Sequence, residues 1–152
     1  MAERAREGDT VLLDVASGVS NCALPAAAAI VGNGKVYAVD LWREGIEELN
    51  RAADARGLEN VVALVSDASV SIPLPDQSID TCLIATALHD LADVNAADGA
   101  LREIARVLKP GGRLVIVEVR KTAGPPGPPQ HVRLSPEELD ELVTPFGFAR
   151  RS

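Results

Sequence analysis

Three aspartates recur at even intervals in the first half of this 152-residue chain: Asp14 after VLL, Asp40 at the end of VYAVD and Asp67 at the end of ALVSD. Each gap, 26 and then 27 residues, is the length of one strand plus one helix with their connections. If the strands lie side by side and parallel, the three carboxylates emerge at one edge of a sheet, where open α/β sheets bind ligands. Ionised carboxylates only accept hydrogen bonds, so a ligand with a cationic end and hydroxyl and amine donors can use one acid at each of three stations. Directly after Asp14 the apolar run gives way to Ala16, Ser17, Gly18, Ser20 and Asn21. Small residues there let a ligand come close to the backbone. A pyrophosphate would instead want a GxGxxG turn at a helix N-terminus, and ASGVSN offers one glycine with an acid beside it. A nicotinamide dinucleotide is therefore the weakest fit.

The elements that must position these acids are apolar runs separated by helical patterns. Strands are expected at Val11 to Val15, Val36 to Val39, Val61 to Val65, Ile79 to Ala85 and Leu114 to Val119. Continuous apolar runs of this kind suit strands buried on both faces. Between the second and third, Ile46, Leu49 and Ala53 share one helical face that stops at Gly57. Leu101, Ile104, Ala105 and Leu108 do the same before Lys109-Pro110-Gly111-Gly112, which reads as a stop and turn. Ser135, Pro136 and Glu138 form a capping-box start for a helix presenting Leu139, Leu142 and Val143. The alternation predicts a doubly wound α/β domain with a mostly parallel sheet. The Pro- and Gly-rich connector TAGPPGPPQHVR can be neither regular helix nor inner strand. It is expected to be a linker or a lid beside a site.

Composition narrows the classes. With 47% apolar residues the chain can bury one core, and with 3% aromatics that core must be Val, Leu, Ile and Ala. The net charge of −7 is not offset by a basic half, which disfavours a nucleic-acid partner. No run is long and apolar enough to suggest membrane insertion, and MAERAREGDT lacks the apolar centre of a signal peptide, so a cytoplasmic location is expected. Cys22 and Cys82 have no metal-ligand spacing around them, and no metal site is expected.

The ordered set VLLDVASGVSN, VYAVDL, LVSDA, LPDQSIDTCLIATALHDL and ALREIARVLKPGGRLVIVE resembles the class I S-adenosylmethionine-dependent methyltransferases. Within them it is most similar to the small-molecule branch that includes the ubiquinone/menaquinone C-methyltransferases. The resemblance runs from about Thr10 to Phe148. It implies a single Rossmann-like core domain over residues 1–152, with five strands in the order 3-2-1-4-5 and without the family's usual C-terminal β-hairpin. It implies S-adenosyl-L-methionine as cofactor and a small-molecule acceptor. Asp14 and the loop Ala16, Ser17 and Gly18 would approach the methionine portion. Asp40 would accept from the ribose hydroxyls, with Leu41 against adenine. Asp67 would take the adenine amine, with the Ala68 backbone beside it. The family's loop is richer in glycine, and Ala16 and Ser20 replace its outer two. Where that backbone needs φ above zero, they add strain.

His89, after the fourth strand, is the candidate catalytic base, with a packing or capping role equally open. Glu118 is an acceptor contact or a surface carboxylate. His131 reads as a solvated loop residue, and Trp42 as a neighbour of adenine or a cover for a helix start. Arg102, Arg106 and Lys109 are expected on a solvated helix face. The alternative to an enzyme is a methyltransferase-like core without activity that serves in cofactor binding or protein interaction. The fifth strand would be an open edge, across which a homodimer is expected.

Overall fold

A computed structural model of the chain describes residues 10–19, 21–30 and 33–151. Its five strands are β1 (Val11–Val15), β2 (Lys35–Asp40), β3 (Val61–Val65), β4 (Ile79–Ala85) and β5 (Leu108–Val117). All neighbours pair in parallel, in the order β3-β2-β1-β4-β5 predicted above. The helices are α1 (Ala23–Ala29), α2 (Arg43–Ala55), α3 (Leu88–Asp93), α4 (Ala97–Val107) and α5 (Pro136–Val143).

Alternation along the strands splits the core in two. Val36 and Ala38 of β2 pack with Ala23 and Ala27 of α1 and Leu49 of α2, on one face. Val39, with Leu13, Val15 and Ile84, belongs to the other face, with Leu88 of α3 and Ile104 and Val107 of α4. Side-chain alternation with a period of two produces this doubly wound arrangement from near-continuous apolar runs. Small alanines, in place of aromatics, let α1 sit close on the sheet. Neither α1 nor α3 was expected: α1 is an alanine run with Pro25 in its first turn and no charged face, and α3 has only six residues.

Two boundaries shift from the sequence reading. Lys109 to Gly112 is not a turn ahead of the strand but an interruption within it. Leu108 pairs with Ile79 and Arg113 with Thr81, so the four intervening residues are squeezed out against Asp80 alone. Lys109 Nζ pins that bulge to Asp80 Oδ1 at 2.8 Å, while Asp80 Oδ2 accepts the Val11 N–H at 2.8 Å. At its far end β5 stops at Val117, because Glu118 turns inward to a partner on α3. The capping box of α5 is present as read: the Ser135 N–H donates to Glu138 Oε2 at 2.7 Å, and the Glu138 N–H donates to Ser135 Oγ at 3.2 Å.

Of the solvated helix face expected for Arg102, Arg106 and Lys109, Arg102 is exposed as expected, Lys109 lies in β5 and not on the helix, and Arg106 is half-buried and engaged. Arg106 donates to Glu103 on its own helix and to the Ile72 and Leu74 carbonyls of the β3–β4 connection. Arg102 lies 5.9 Å from the Phe146 ring centroid. Long flexible cations are drawn to carbonyls and rings that are distant in sequence, which helix periodicity does not reveal.

The Pro/Gly connector is organised from inside by Arg133. Its guanidinium is buried and donates to five backbone carbonyls, those of Arg120, Thr122, Gly124, Pro126 and Pro128, at 2.7 to 3.2 Å. A segment rich in proline has few N–H groups to pair its own carbonyls, and one planar fork supplies them instead. Arg133→Met is expected to cost about 3 kcal/mol, since five carbonyls lose a charged donor together. Urea unfolding measures the loss, and a change under about 0.5 kcal/mol, the scale of a neutral surface substitution, would show that the connector stands without the arginine.

Candidate functional site

The three acids form a staircase rather than a row. Strand register sets Asp14 opposite Ala38, two residues before Asp40, and Asp40 opposite Val65, two residues before Asp67. Each acid is thus one strand across and two residues further out, a diagonal step of about 8 Å at about 3.3 Å per residue and about 4.8 Å between strands. A ligand touching all three must be elongated and lie obliquely across the carboxyl edge.

Asp14, the innermost, is 2% exposed. Burial first, and then the Asp14 charge, pushes the thiols of Cys22 and Cys82 up, which favours their neutral forms. Asp40 is the hinge of the site. Its Oδ2 accepts the Gly18 N–H and its Oδ1 the Trp42 N–H, each at 2.8 Å. The loop after β1 is thereby folded back onto β2, where the Ser17 N–H also reaches the Val39 carbonyl at 3.2 Å. Each Asp40 oxygen retains a second lone pair. Asp67 lies beyond β3, and its Oδ1 accepts from Ser69 N at 2.9 Å and Ser69 Oγ at 2.6 Å.

The loop adopts the left-handed turn that the sequence suggested: φ is +56° at Ala16 and +57° at Gly18. A Cβ built on Gly18 meets nothing within 4 Å, so space opens directly above its backbone. Ser20 lies outside the described residues. Ser17 Oγ is buried and makes no hydrogen bond among the described residues. Asp14, Ala16, Ser17, Gly18 and Asp40 line a cavity of about 350 Å³, closed from the β4 side by Ala85, Thr86, Ala87 and Asp90. Thr86 is a β-branched residue at φ +53°, held there by its N–H to the Val117 carbonyl at 2.7 Å. Such backbone costs roughly 1–3 kcal/mol and collects at functional sites.

Leu41, Asp67, Ala68 and His89 do not line this cavity. Leu41 is 66% exposed beside Asp40. Trp42 covers the first turn of α2, where a Cβ on Gly45 would stand 2.5 Å from its ring, and it remains half exposed. His131 is exposed in a 3₁₀ turn, Gln130–Val132. His89 is only 5% exposed, and its Nδ1 is 2.7 Å from Glu118 Oε2. Glu118, with a side chain 4% exposed, also accepts the His89 backbone N–H at 3.2 Å. It is therefore not a surface carboxylate. Asp90 Oδ1 stands 3.3 Å from His89 Nε2, linking this buried pair to the cavity wall. Sequence reasoning missed Asp90 and Thr86; ALHDL contained the first, but no spacing rule marks the residue after a candidate base.

The left-handed alanine yields a stability test. Ala16→Gly is expected to stabilise the fold by about 0.5–1 kcal/mol, the relief of a left-handed Cβ less the added freedom of the unfolded chain. Gly18→Ala, at nearly the same φ, is expected to destabilise by about 1 kcal/mol. Thermal unfolding of the two variants checks both signs, and a destabilising Ala16→Gly would contradict the account of the loop.

Comparison with known proteins bears on the family and the fold. Demethylmenaquinone methyltransferase of Symbiobacterium thermophilum is 34% identical over 116 residues, which are 76% of this chain and 45% of that protein. Aklanonic acid methyltransferase DauC of Streptomyces sp. (strain C5) is 33% identical over 146 residues, 92% of this chain and 64% of that one. A crystal structure of a SAM-dependent methyltransferase from Aquifex aeolicus superposes with a TM-score of 0.80 at 31% identity, covering 91% of this chain and 71% of the other. The chain spans about half the length of several curated relatives that it matches. A family model described as a methyltransferase domain matches residues 13–116. That match starts inside β1 and stops inside β5, taking in every strand of the sheet, and by it the chain belongs to the methyltransferase domain family.

Proposed function

We propose that this chain is one S-adenosylmethionine-binding domain that moves a methyl group to a small-molecule acceptor. The observation that carries the reading is the staircase of Asp14, Asp40 and Asp67 above a left-handed, small-residue loop. The donor set fits that cofactor. Its ammonium, ribose diol and adenine amine are donors that match Asp14, Asp40 and Asp67 in turn. Its carboxylate would lie near Ser17, which lines the same cavity and whose buried hydroxyl has no partner among the described residues. Leu41, exposed at the outer end, has apolar surface to give an adenine ring. The Ala68 backbone lies next to the acid that would take the amine.

When bound, S-adenosylmethionine supplies a methyl group already activated on a sulfonium. The protein's work is then to orient donor and acceptor and to exclude water. Ala16, Ser17 and Gly18 admit the methionine end, and Thr86 and Asp90 form the opposing wall where an acceptor meets it. Glu118 fixes the His89 ring through Nδ1, so Nε2 is the atom left to exchange a proton. A proton released by an acceptor would pass to the Asp90 carboxylate, which stands at the cavity, and from it to His89 Nε2, 3.3 Å away. The relatives named for demethylmenaquinone and aklanonic acid make a quinone-type small molecule the first acceptor to try.

Among the described residues no helix is long and apolar enough to cross a membrane, and a cytoplasmic site of action is part of the proposal, as is the absence of a nucleic-acid substrate. β5 is an edge strand with Val115 and Val117 41% and 49% exposed, and a two-fold pairing of β5 with a second copy would cover it. Sedimentation should then show a concentration-dependent dimer, and a monomer at every concentration would remove that part.

Calorimetric titration tests the cofactor reading. S-adenosylmethionine and S-adenosylhomocysteine should each bind at one site, NAD should not, and Asp40→Ala should weaken both adenosyl ligands by about 10- to 100-fold, the worth of hydrogen bonds to a charged group. Binding with no turnover of any acceptor would favour the inactive-core alternative. No binding by folded protein would overturn the proposal.

A further inference from the structure

β3 does not by itself hold Asp67. The acid stands two residues past that strand, in a turn closed by the Val70 and Ser71 N–H groups on its carbonyl at 3.0 and 2.9 Å. Ser69 occupies Asp67 Oδ1 twice, and Oδ2 has no protein donor among the described residues. Beneath the turn runs α4. A Cβ on Gly99 would stand 2.1 Å from the Ser69 carbonyl oxygen and 3.0 Å from its carbon, so no other residue fits there without moving the turn. One helical turn further, Glu103 Oε2 accepts the Ile72 N–H at 2.8 Å. Beyond it, Arg106 donates to the Ile72 carbonyl at 2.8 Å, the Leu74 carbonyl at 2.9 Å and Asp76 at 2.7 Å, while clasping Glu103 at 2.7 and 2.9 Å. The Arg106 hydrogen bond foremost, and the Ile72 N–H after it, hold the Glu103 carboxyl below the usual carboxylate range, against the opposing effect of burial.

Gly99, Glu103 and Arg106 follow at spacings of four and three, on one face of α4. That face grips the segment from Ser69 to Asp76 at three heights. We propose that it is the positioning element for Asp67, and that through it the site discriminates a ligand base bearing an exocyclic amine from one bearing an oxo group. The inference rests on the reading that Asp67 takes the adenine amine. A carboxylate accepts from an exocyclic amine, whereas in the oxo base it meets an acceptor at that position and the donor moves to ring N1, so discrimination depends on where the turn sets Oδ2.

Calorimetry with S-adenosylhomocysteine and S-inosylhomocysteine, its oxo counterpart, tests this. The proteins are wild type, Asp67→Ala, Gly99→Ala and Arg106→Lys, with thermal unfolding in parallel. Wild type is expected to prefer the adenosyl ligand by about tenfold or more, the scale of one hydrogen bond to a charged acceptor. Gly99→Ala and Arg106→Lys should narrow that ratio to within about threefold, chiefly by weakening the adenosyl ligand. A purely structural role would weaken both ligands in step and leave the ratio as it was, and that result in either folded variant would overturn the proposal. Arg106→Lys, which keeps the charge and loses the planar fork, decides the matter if Gly99→Ala does not fold. If wild type shows no preference, or if Asp67→Ala retains it, the adenine reading fails and the proposal fails with it.

Discussion

One carboxylate holds the site together. Asp40 spends an oxygen each on the N–H groups of Gly18 and Trp42, and so joins the loop after β1, the end of β2 and the start of α2 at a single point. The loop is also tied by the Ser17 N–H to the Val39 carbonyl. Its residues are too small to bury much apolar surface, and Ala16 and Gly18 both sit at positive φ. Charge-assisted hydrogen bonds are the strong kind, and two at 2.8 Å offset a backbone that would otherwise relax. The same side chain then has lone pairs left for a ligand, so the scaffold and the binding site cannot be separated at this residue.

Across the cavity the construction is different. Thr86 is held at positive φ by a main-chain bond to Val117, and beyond it a buried glutamate fixes a buried histidine whose second nitrogen meets Asp90. One wall is a small-residue loop tied down by an acid; the other is a strand end tied to its neighbour. The division suits a site in which one side admits a charged ligand close to the backbone and the other presents groups able to move a proton. On the loop side, alanines of α1 pack with Val36 and Ala38 of β2.

Much of this was legible from residue order because it is local. The apolar runs became strands, the Ser135–Glu138 box became a cap, and the acids at even spacing reached one edge. The diagonal among them was not legible, since it depends on strand register, which hydrogen bonding between strands sets. Glu118 and His89 are 29 residues apart and meet because β5 lies beside β4. Arg133 looked like the end of a linker and proved to be its organiser, for no pattern announces that five carbonyls will turn toward one guanidinium. The helix α1 escaped for the opposite reason: a run of alanines carries no amphipathic signal, only propensity.

The central claim is that one elongated ligand lies along the acid staircase, and a crystal structure of the complex with S-adenosylhomocysteine tests it most directly. The account predicts the amino-acid end beside Asp14 and Ser17, the ribose on Asp40 and the adenine at Asp67. A ligand with its adenine in the cavity against Thr86 and Asp90, or with its ribose away from Asp40, would contradict it.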